Sequence, residues 1–392
     1  MNKEIELKGV LIATGIFSPD IGGPASYAQT LANRLSVSNK VTVLTYSSVW
    51  SSSLDLKLPF RVVRIWNRWP KGIKHVLYFA KAFIEAKKCN VVFALNAVSA
   101  GVPARFAARI LKKKFIVKIV GDYAWERAIS AGKTSLLLND FQVEPRRGWP
   151  KVLHNIQFQV CKGAHAIIVP SEYLGHIVGG WGIQRDKIHV IYNGTDFNPS
   201  KLSKEEARKK MNVAGNIILS AGRLVPWKGF RMLIKIMPKL TSINQFFKLI
   251  IIGDGPERKN LEAIIKNMGL ERKVQLLGRK SQSELADYIS ASDIFILNTG
   301  YEGFSHQLLE AMCAGIPLIT TNAGGNKEII HQGENGFMVK YNDEFNLIEA
   351  VRTLWSSEET RERFSREGKK TAEYFNVEKM FDQTIDLLLS QI

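Results

Sequence analysis

The sequence predicts an α/β protein with two doubly wound domains, each built on a parallel sheet. Strand-like apolar runs alternate with amphipathic helical patterns along the whole chain, as in parallel α/β proteins. The 392 residues exceed one ordinary core, and 45% apolar with 23% charged residues is typical of a folded globular protein. The turn-rich stretch NGTDFNPS, residues 193–200, separates the two halves.

Seven strand-like runs precede this turn and five follow it. They read GVLIATG, KVTVLTY, FRVVRIW, NVVFALN, FIVKIVG, AHAIIVP and KIHVIYN, then NIILSAG, FKLIIIG, KVQLLG, IFILNT and PLITTN. Helical patterns lie between most of them, and ERKNLEAIIKNMG ends at Gly269, as helices often do. We therefore expect domains at 1–195 and 196–375, with a C-terminal helix at 376–392 that packs back on the first domain.

The cysteines and the apolar runs indicate the compartment. Cys89, Cys161 and Cys313 lie far apart with no CxxC spacing, which fits a reducing cytoplasm rather than disulfides or a zinc site. The start, MNKEIELKGV, does not resemble a signal peptide. No apolar run reaches the ~20 residues that cross a bilayer. We expect a cytoplasmic protein.

The net charge of +18 is concentrated in the first half of the chain. Residues 1–195 carry 27 Lys and Arg against 11 Asp and Glu, whereas residues 196–392 carry 27 against 25. The first half should therefore attract an anionic partner. No nucleic-acid-binding motif accompanies the charge, so a nucleic-acid partner is not expected.

One segment mixes aromatic and basic residues. It reads RVVRIWNRWPKGIKHVLYFAKAFIEAKK, and the basic stretches Lys112–Lys114 and Arg146–Arg147 lie in the same half. Aromatic rings beside cations suit an anionic bilayer surface. The alternative is a solvated basic face over core aromatics.

Because ligands of open α/β sheets bind at the carboxyl ends of the strands, the residues after each strand are the candidate site. The first such loop contains Gly22 and Gly23 before a helix whose free N–H groups would suit an anion. A plain glycine turn is the alternative. The dinucleotide fingerprint GxGxxG is absent, so hydride transfer has little support.

The loop after NIILSAG, GRLVPWKGF, places Arg223 and Lys228 five residues apart. An arginine fork and a lysine ammonium at the end of a strand favour a phosphate ligand. The alternative is that both cations are solvated surface residues.

Two glutamates follow IFILNT, in EGFSHQLLE. Glu302 lies in the loop, and Ser305 should cap a helix that ends at Ala314. Glu310 is the only polar side chain in LLEAMCAGI, where a buried lone carboxylate costs several kcal/mol. An ionised carboxylate accepts hydrogen bonds from vicinal hydroxyls, such as those of ribose. The alternative for Glu310 is the polar face of an amphipathic helix.

These motifs resemble the retaining glycosyltransferases of family four, which have the GT-B fold of two Rossmann-like domains facing across a cleft. The resemblance rests on EGFSHQLLE, GRLVPWKGF, GIPLITTNAGGNKEII, ENGFMV and IGGPASYAQTLANRL, and it covers nearly the whole chain. It implies that Arg223, Lys228 and Gly23 contact the donor diphosphate. It also implies that Glu310 binds the ribose hydroxyls.

The resemblance further implies that Glu302, with the backbone of Phe304 and Ser305, binds the transferred sugar. Ser305 followed by His306 departs from the family, in which the residue after Glu-Gly-Phe is usually small. The sugar-facing loop is therefore bulkier, which puts the identity of the sugar in doubt. His306 itself is interpreted as a helix-start residue.

Asp122 follows the strand FIVKIVG, near the position where family members often carry a catalytic histidine or aspartate. The resemblance implies that it would contact the transferred sugar or stabilise the oxocarbenium-like transition state. The alternatives are a helix-capping role for Asp122 and a catalytic role for Glu126. No DxD motif occurs, so we expect no metal or other cofactor.

The resemblance therefore implies a retaining hexosyltransferase that uses a nucleotide-diphosphate sugar, whereas the residues alone indicate a site for phosphate and hydroxyl groups. Its acceptor would be a hydroxyl of a glycan or lipid-linked molecule in cell-envelope synthesis, at the inner face of the membrane. The alternatives are a nucleotide-sugar epimerase of the same fold and, less favoured, a basic nucleic-acid-binding protein. A silent binding module would be expected to lose Glu302 or Lys228, and both are present.

Overall fold

The chain folds into two compact units, each with its own parallel sheet. The first unit contains the chain up to Ala128, Glu144–Ile191 and the chain from Phe381 onward. The second contains Ile129–Val143 and Tyr192–Met380. Besides a division near residue 192, Ile129–Val143 therefore groups with the second unit and the chain from Phe381 onward with the first.

The computed structural model describes residues 9–20 and 22–391. Its strands are β1 Gly9–Thr14, β2 Lys40–Ser47, β3 Arg61–Trp66, β4 Val91–Ala94, β5 Lys114–Lys118, β6 Ala166–Val169, β7 Ile188–Val190, β8 Asn216–Ala221, β9 Phe247–Ile252, β10 Val274–Leu276, β11 Ile294–Leu297, β12 Leu318–Thr321 and β13 Phe337–Val339. Its helices are α1 Gly23–Leu35, α2 Lys71–Ala86, α3 Gly101–Ile110, α4 Tyr123–Ser130, α5 Leu138–Val143, α6 Gly148–Lys162, α7 Glu172–Gly180, α8 Lys204–Met211, α9 Phe230–Lys235, α10 Met237–Ile243, α11 Arg258–Asn267, α12 Gln282–Ala291, α13 His306–Ala314, α14 Glu344–Ser356, α15 Glu358–Tyr374 and α16 Val377–Ser390.

Both sheets are parallel and doubly wound, which confirms the predicted α/β class. The first sheet has the order β3-β2-β1-β4-β5-β6-β7 and the second the order β10-β9-β8-β11-β12-β13. Every predicted apolar run forms a strand, and β13 is an additional strand that the hydrophobic pattern did not predict. The strand order reverses between β1 and β4 in one sheet and between β8 and β11 in the other. Ligands of such sheets bind at these points.

The central strands are mostly apolar because helices cover both faces of each sheet. Every residue of β4 and β6 is buried in the first unit, as is every residue of β11 in the second. These three strands show no polar alternation, so burial on both faces explains why their runs were recognisable in the sequence.

Helix α13 begins and ends where its sequence predicts. The Ser305 hydroxyl accepts a hydrogen bond from the Leu308 N–H at 3.3 Å and caps the helix. Gly315 ends it in the left-handed conformation, at φ +72°. These two signals fix the position of Glu310 in the helix.

The last helix, α16, packs its carboxyl-terminal half on α1 within the first unit. The Tyr27 and Phe381 rings stack with centroids 5.3 Å apart, and the Tyr27 hydroxyl lies 3.2 Å from the Thr384 hydroxyl. The Arg34 guanidinium lies 4.8 Å from the centroid of the Phe381 ring. These contacts explain why the chain from Phe381 onward groups with the first unit.

Candidate active site

In the second unit, the candidate site lies where β8 and β11 end, at the reversal of strand order. Gly222 follows β8 directly, with φ +150°. The loop after β9 packs on it so closely that a Cβ on Gly253 would lie 1.9 Å from the Gly222 carbonyl oxygen. Because Gly253 also has φ +141°, no other residue fits there without moving this loop.

The structure gives Arg223 and Lys228 different surroundings. Arg223 is exposed, and its guanidinium makes no hydrogen bond or ion pair with a described residue. Lys228 ends the short 3₁₀ turn Pro226–Lys228 and is buried. Its ammonium turns towards Glu302. The two cations are therefore not paired with the same group in this structure.

Lys228 and Glu302 form a buried ion pair. The Lys228 Nζ lies 2.5 Å from Glu302 Oε1, and the two side chains are 10% and 11% exposed. Gln307 Oε1 lies 3.5 Å from the same Nζ. An ammonium has three donors, and in the described chain the third has no acceptor. The pair can therefore accept an anionic oxygen without losing its existing contact.

The loop that carries Glu302 is held by the loop after β12. The Gly325 N–H donates to the Glu302 carbonyl oxygen at 3.0 Å. Gly324 has φ +59°, and a Cβ there would lie 2.0 Å from the same oxygen. The NAGG sequence is thus required for the close approach of these two loops.

Phe304 and Ser305 contribute packing, a cap and free backbone donors. The Phe304 ring packs against Tyr192 and Phe375, with centroids 5.3 Å and 5.1 Å apart. The N–H groups of Phe304 and Ser305 donate to no described residue. They precede the positive end of α13, where free N–H groups suit a phosphate or a sugar oxygen.

Glu310 is half-buried on α13 and makes no hydrogen bond or ion pair with any residue in the described ranges. Burial raises the pKa of its carboxyl to about 7, and the Asp196 carboxylate adds to the rise. A ligand that donates hydrogen bonds to this carboxylate would favour its ionised form. The amphipathic-face interpretation would place this carboxylate in solvent, whereas Glu310 is only partly exposed.

In the first unit, Gly23 begins α1. The N-cap residue, Gly22, supplies no side-chain cap, so the first N–H groups of α1 have no such partner. Gly23 is exposed, and a Cβ there would have no heavy atom within 4 Å. Local packing therefore does not require glycine at this position, in contrast to Gly324.

Asp122 is fully buried and caps α4. Its Oδ1 accepts hydrogen bonds from the Trp125 N–H at 3.1 Å and the Gln157 amide at 2.8 Å. Gln157 Oε1 in turn accepts from the Tyr123 N–H at 3.1 Å. Glu126 is half-buried in the first turn of the same helix. The capping role is present, and the catalytic role of either carboxylate stays a prediction.

Neither a metal-binding cluster nor a membrane-spanning helix is found among the described residues. No group of three or more His, Cys, Asp or Glu side chains there is arranged to hold a metal ion. No helix in the same part of the chain is both long and apolar enough to cross a bilayer.

Two family models match consecutive parts of the chain. The model described as Glycosyltransferase Family 4 matches residues 21–198, and the model described as Glycosyl transferases group 1 matches residues 203–371. The chain belongs to the group 1, family 4 glycosyltransferases. Gly23 lies in the part matched by the first model, and the paired glutamates lie in the part matched by the second.

Curated relatives are between a quarter and a third identical to this glycosyltransferase over the aligned residues. The lipopolysaccharide core biosynthesis glycosyltransferase LpsE of Rhizobium meliloti is 27% identical over 54% of this chain. An N-acetylgalactosaminyltransferase of Campylobacter jejuni, whose name specifies a diphospho-undecaprenol substrate, is 27% identical over 57% of this chain. In both cases the match spans 60% of the relative's own length.

Solved structures show that this glycosyltransferase has the GT-B fold. Anabaena HepE in complex with UDP-glucose matches with a TM-score of 0.77 at 21% identity, covering 97% of this chain and 99% of that one. At this identity the likeness concerns the fold alone.

Two features of this glycosyltransferase were missed from its sequence. Lys118 ends β5 and is buried, its ammonium has no hydrogen-bond partner, and it lies 4.0 Å from the centroid of the Tyr27 ring. A single charged residue inside an apolar run is the signal that marked Glu310, and FIVKIVG carries the same signal at Lys118. Lys118 could therefore have been identified from the sequence. Trp50 joins Trp66 and Trp69 in one cluster, which no local pattern indicates.

Proposed function

We propose that this glycosyltransferase moves a hexose from a nucleotide-diphosphate sugar to a hydroxyl of a glycan or lipid-linked acceptor, with retention of the anomeric configuration. The observation that carries this function is the combination of the buried Lys228–Glu302 pair with the partnerless Glu310 carboxyl. All three lie in the connections that follow β8 and β11. The UDP-glucose complex of HepE and the lipid-linked substrate named for the Campylobacter relative support the two substrate classes.

Different groups would hold different parts of the donor: cations and backbone N–H groups the diphosphate, and carboxylates the ribose and the sugar. The Lys228 ammonium and the free N–H groups of Phe304 and Ser305 bind the diphosphate, and the exposed Arg223 closes on it. Glu310 accepts hydrogen bonds from the ribose hydroxyls. Gly23, at the start of α1, contributes a backbone contact to the diphosphate.

The chemistry needs stabilisation of the leaving diphosphate and of positive charge on the sugar. Lys228 and the N-terminus of α13 neutralise the developing phosphate charge. The Glu302 carboxylate contacts the transferred sugar while its salt bridge holds it in position. The acceptor hydroxyl attacks from the leaving-group side and gives its proton to the leaving phosphate, so no separate enzymic base and no metal ion is required.

A carboxylate at the start of α4 would also contact the transferred sugar. Asp122 is the first candidate and Glu126 the second. Asp122→Asn keeps a side-chain oxygen for the Trp125 N–H, so its effect on kcat can be separated from helix capping. If Asp122 is the group, Asp122→Asn lowers kcat and Glu126→Gln does not; the opposite pattern assigns Glu126.

We expect donor consumption to reveal both the donor and the stereochemistry. UDP-, GDP-, ADP- and dTDP-hexoses would be incubated with the protein and a polyprenyl-diphosphate glycan, and the product anomer read by proton NMR. One donor should yield a product of unchanged configuration, and Lys228→Met should lower the rate by about 10²-fold. An epimerised sugar nucleotide, an inverted product or no turnover of any donor would contradict the proposal. Rates that fall with EDTA would contradict its metal independence.

The first unit also carries an apolar and basic helical stripe suited to an anionic bilayer. On α2, Ile73, Val76 and Ile84 are 48%, 66% and 46% exposed; the exposed Lys81 lies on the same helix and the exposed Lys87 directly follows it. Apolar side chains flanked by cations lie at the interface of anionic membranes. This surface would bring the protein to a lipid-linked acceptor at the inner face of the membrane.

Vesicle co-sedimentation tests this surface. Binding should need anionic lipid and fall as salt rises, and Ile73→Ser with Val76→Ser should reduce it. Val37→Ser is the matched control, because Val37 is 84% exposed in the turn after α1. Equal binding to neutral vesicles, or equal loss in the control, would contradict a membrane role for α2.

A further inference from the structure

Three tryptophans of the first unit form an exposed aromatic corner. The Trp50 and Trp66 rings stack with centroids 4.9 Å apart and planes at 29°. Trp69 stands edge-on to both, at 6.1 Å and 83° from Trp50 and at 6.3 Å and 87° from Trp66. Trp50 is 61% exposed and Trp69 37%. The cluster thus presents a flat ring face beside a perpendicular wall.

This aromatic corner lies at the carboxyl edge of the first sheet. Trp66 is the last residue of β3, and Trp50 follows the end of β2 by three residues. Ligands of parallel sheets bind at that edge. Covering large exposed aromatic rings contributes strongly to the free energy of binding. Exposed rings at this edge of the sheet can therefore contribute to binding a substrate.

The backbone beneath the corner is anchored to the loop that leads to Gly23. The buried Arg64 guanidinium donates to the Ser47 hydroxyl at 3.0 Å and to the Ser18 carbonyl oxygen at 2.5 Å. The Ser48 N–H donates to Asp20 Oδ2 at 3.0 Å. The corner is therefore a fixed surface joined to the glycine loop.

We propose that Trp50, Trp66 and Trp69 bind a pyranose ring of the acceptor, an inference that rests on the transferase function proposed above. A pyranose has an apolar C–H face that stacks on an indole and a rim of hydroxyls that needs hydrogen-bond partners. The rim partners are present at the corner. Arg68 is exposed, with its guanidinium 5.8 Å from the Trp66 centroid, and makes no ion pair with a described residue. The Asn67 side-chain amide is likewise uncommitted in the described chain.

A bilayer surface could also take exposed tryptophans, but the observations favour a sugar. Interfacial rings need no fixed mutual orientation, whereas this corner is stacked, closed by an edge-on ring and anchored through Arg64. The α2 stripe already supplies a surface of the kind that suits lipid. The two occupants are separated by experiment.

The test is saturation-transfer NMR of the full chain with methyl α- and β-pyranosides of glucose, galactose, mannose and N-acetylglucosamine. At least one should bind the wild type, and Trp50→Ala should weaken it by about tenfold, in the range of single-ring stacking losses. Trp50→Phe should retain most of the binding. Trp149→Ala is the matched control, because Trp149 is 38% exposed on α6.

Two further measurements make each outcome decisive. Nucleotide binding, measured by calorimetry, should be the same in Trp50→Ala and in the wild type. If the wild type itself binds no nucleotide, that result contradicts the proposed function and not the sugar site at the corner. Absence of binding by every pyranoside, or equal binding by Trp50→Ala, overturns the corner as a sugar site. Loss of vesicle binding in Trp50→Ala with pyranoside binding intact would assign the rings to lipid.

Discussion

Glu310, the residue proposed to bind the ribose, destabilises the free protein when its carboxyl is ionised. Burial holds its pKa at about 7, above its ordinary value of 4.5. The folded state therefore keeps the proton while the unfolded state loses it, and stability falls as the pH rises from 4.5 to 7. Above pH 7 the penalty is complete. Such destabilised groups are typical of functional sites.

Glu310→Gln should therefore stabilise the free protein in a pH-dependent way. The glutamine stays neutral, so the variant lacks the loss of stability that the wild type suffers between pH 4.5 and 7. We expect the difference in the free energy of unfolding to grow by about 2 kcal/mol between pH 5 and pH 8. Urea denaturation at the two pH values measures it, and a difference that is the same at both would contradict the buried-carboxyl account.

Lys118 should show the opposite dependence. Burial lowers the pKa of its ammonium from 10.5 to about 7, so the unfolded state binds the proton more tightly between these values. Stability then rises with pH across this window. Lys118→Met should be more stable than the wild type, and its advantage should shrink by about 3 kcal/mol between pH 7 and pH 9.5. An advantage independent of pH would show that Lys118 is paired when charged.

At the scale of elements, α13 combines a structural cap with a proposed binding role. Ser305→Ala removes the hydroxyl that caps the helix and should lower the free energy of unfolding by about 1 kcal/mol. Ser203→Ala is the matched control, because Ser203 caps α8 in the same way through the Glu206 N–H at 3.3 Å. Both variants should lose similar stability in urea, but only Ser305→Ala should weaken nucleotide binding. Equal nucleotide affinity in both would remove α13 from the site.

The elements also show why some strands could be predicted and one could not. The runs that form β1 to β12 are rich in apolar residues, and those of the central strands are buried on both faces. β13 has three residues, all half-buried, and pairs only with β12 at the edge of the second sheet. Its pairing depends on β12 rather than on its own pattern, so the local sequence carries no such signal.

At the scale of the whole molecule, the candidate site was predictable where it is local in sequence. The spacing of Glu302, Ser305 and Glu310 follows from one strand-to-helix connection. The Lys228–Glu302 pair joins residues 74 positions apart, and the tryptophan corner joins two strands. Such contacts depend on the strand order, which the sequence of runs does not determine.

Calorimetric titration of UDP, GDP, ADP and dTDP into the wild type, Glu310→Gln and Glu262→Gln tests the central claim most directly. Glu262 is the control, because its carboxylate forms an exposed pair with Arg258 on α11. We expect one nucleotide to bind the wild type and the control at micromolar strength, and Glu310→Gln to lose about 1.5 kcal/mol or more. Absence of binding by every nucleotide, or equal affinity in Glu310→Gln, would contradict a donor site built on Glu310.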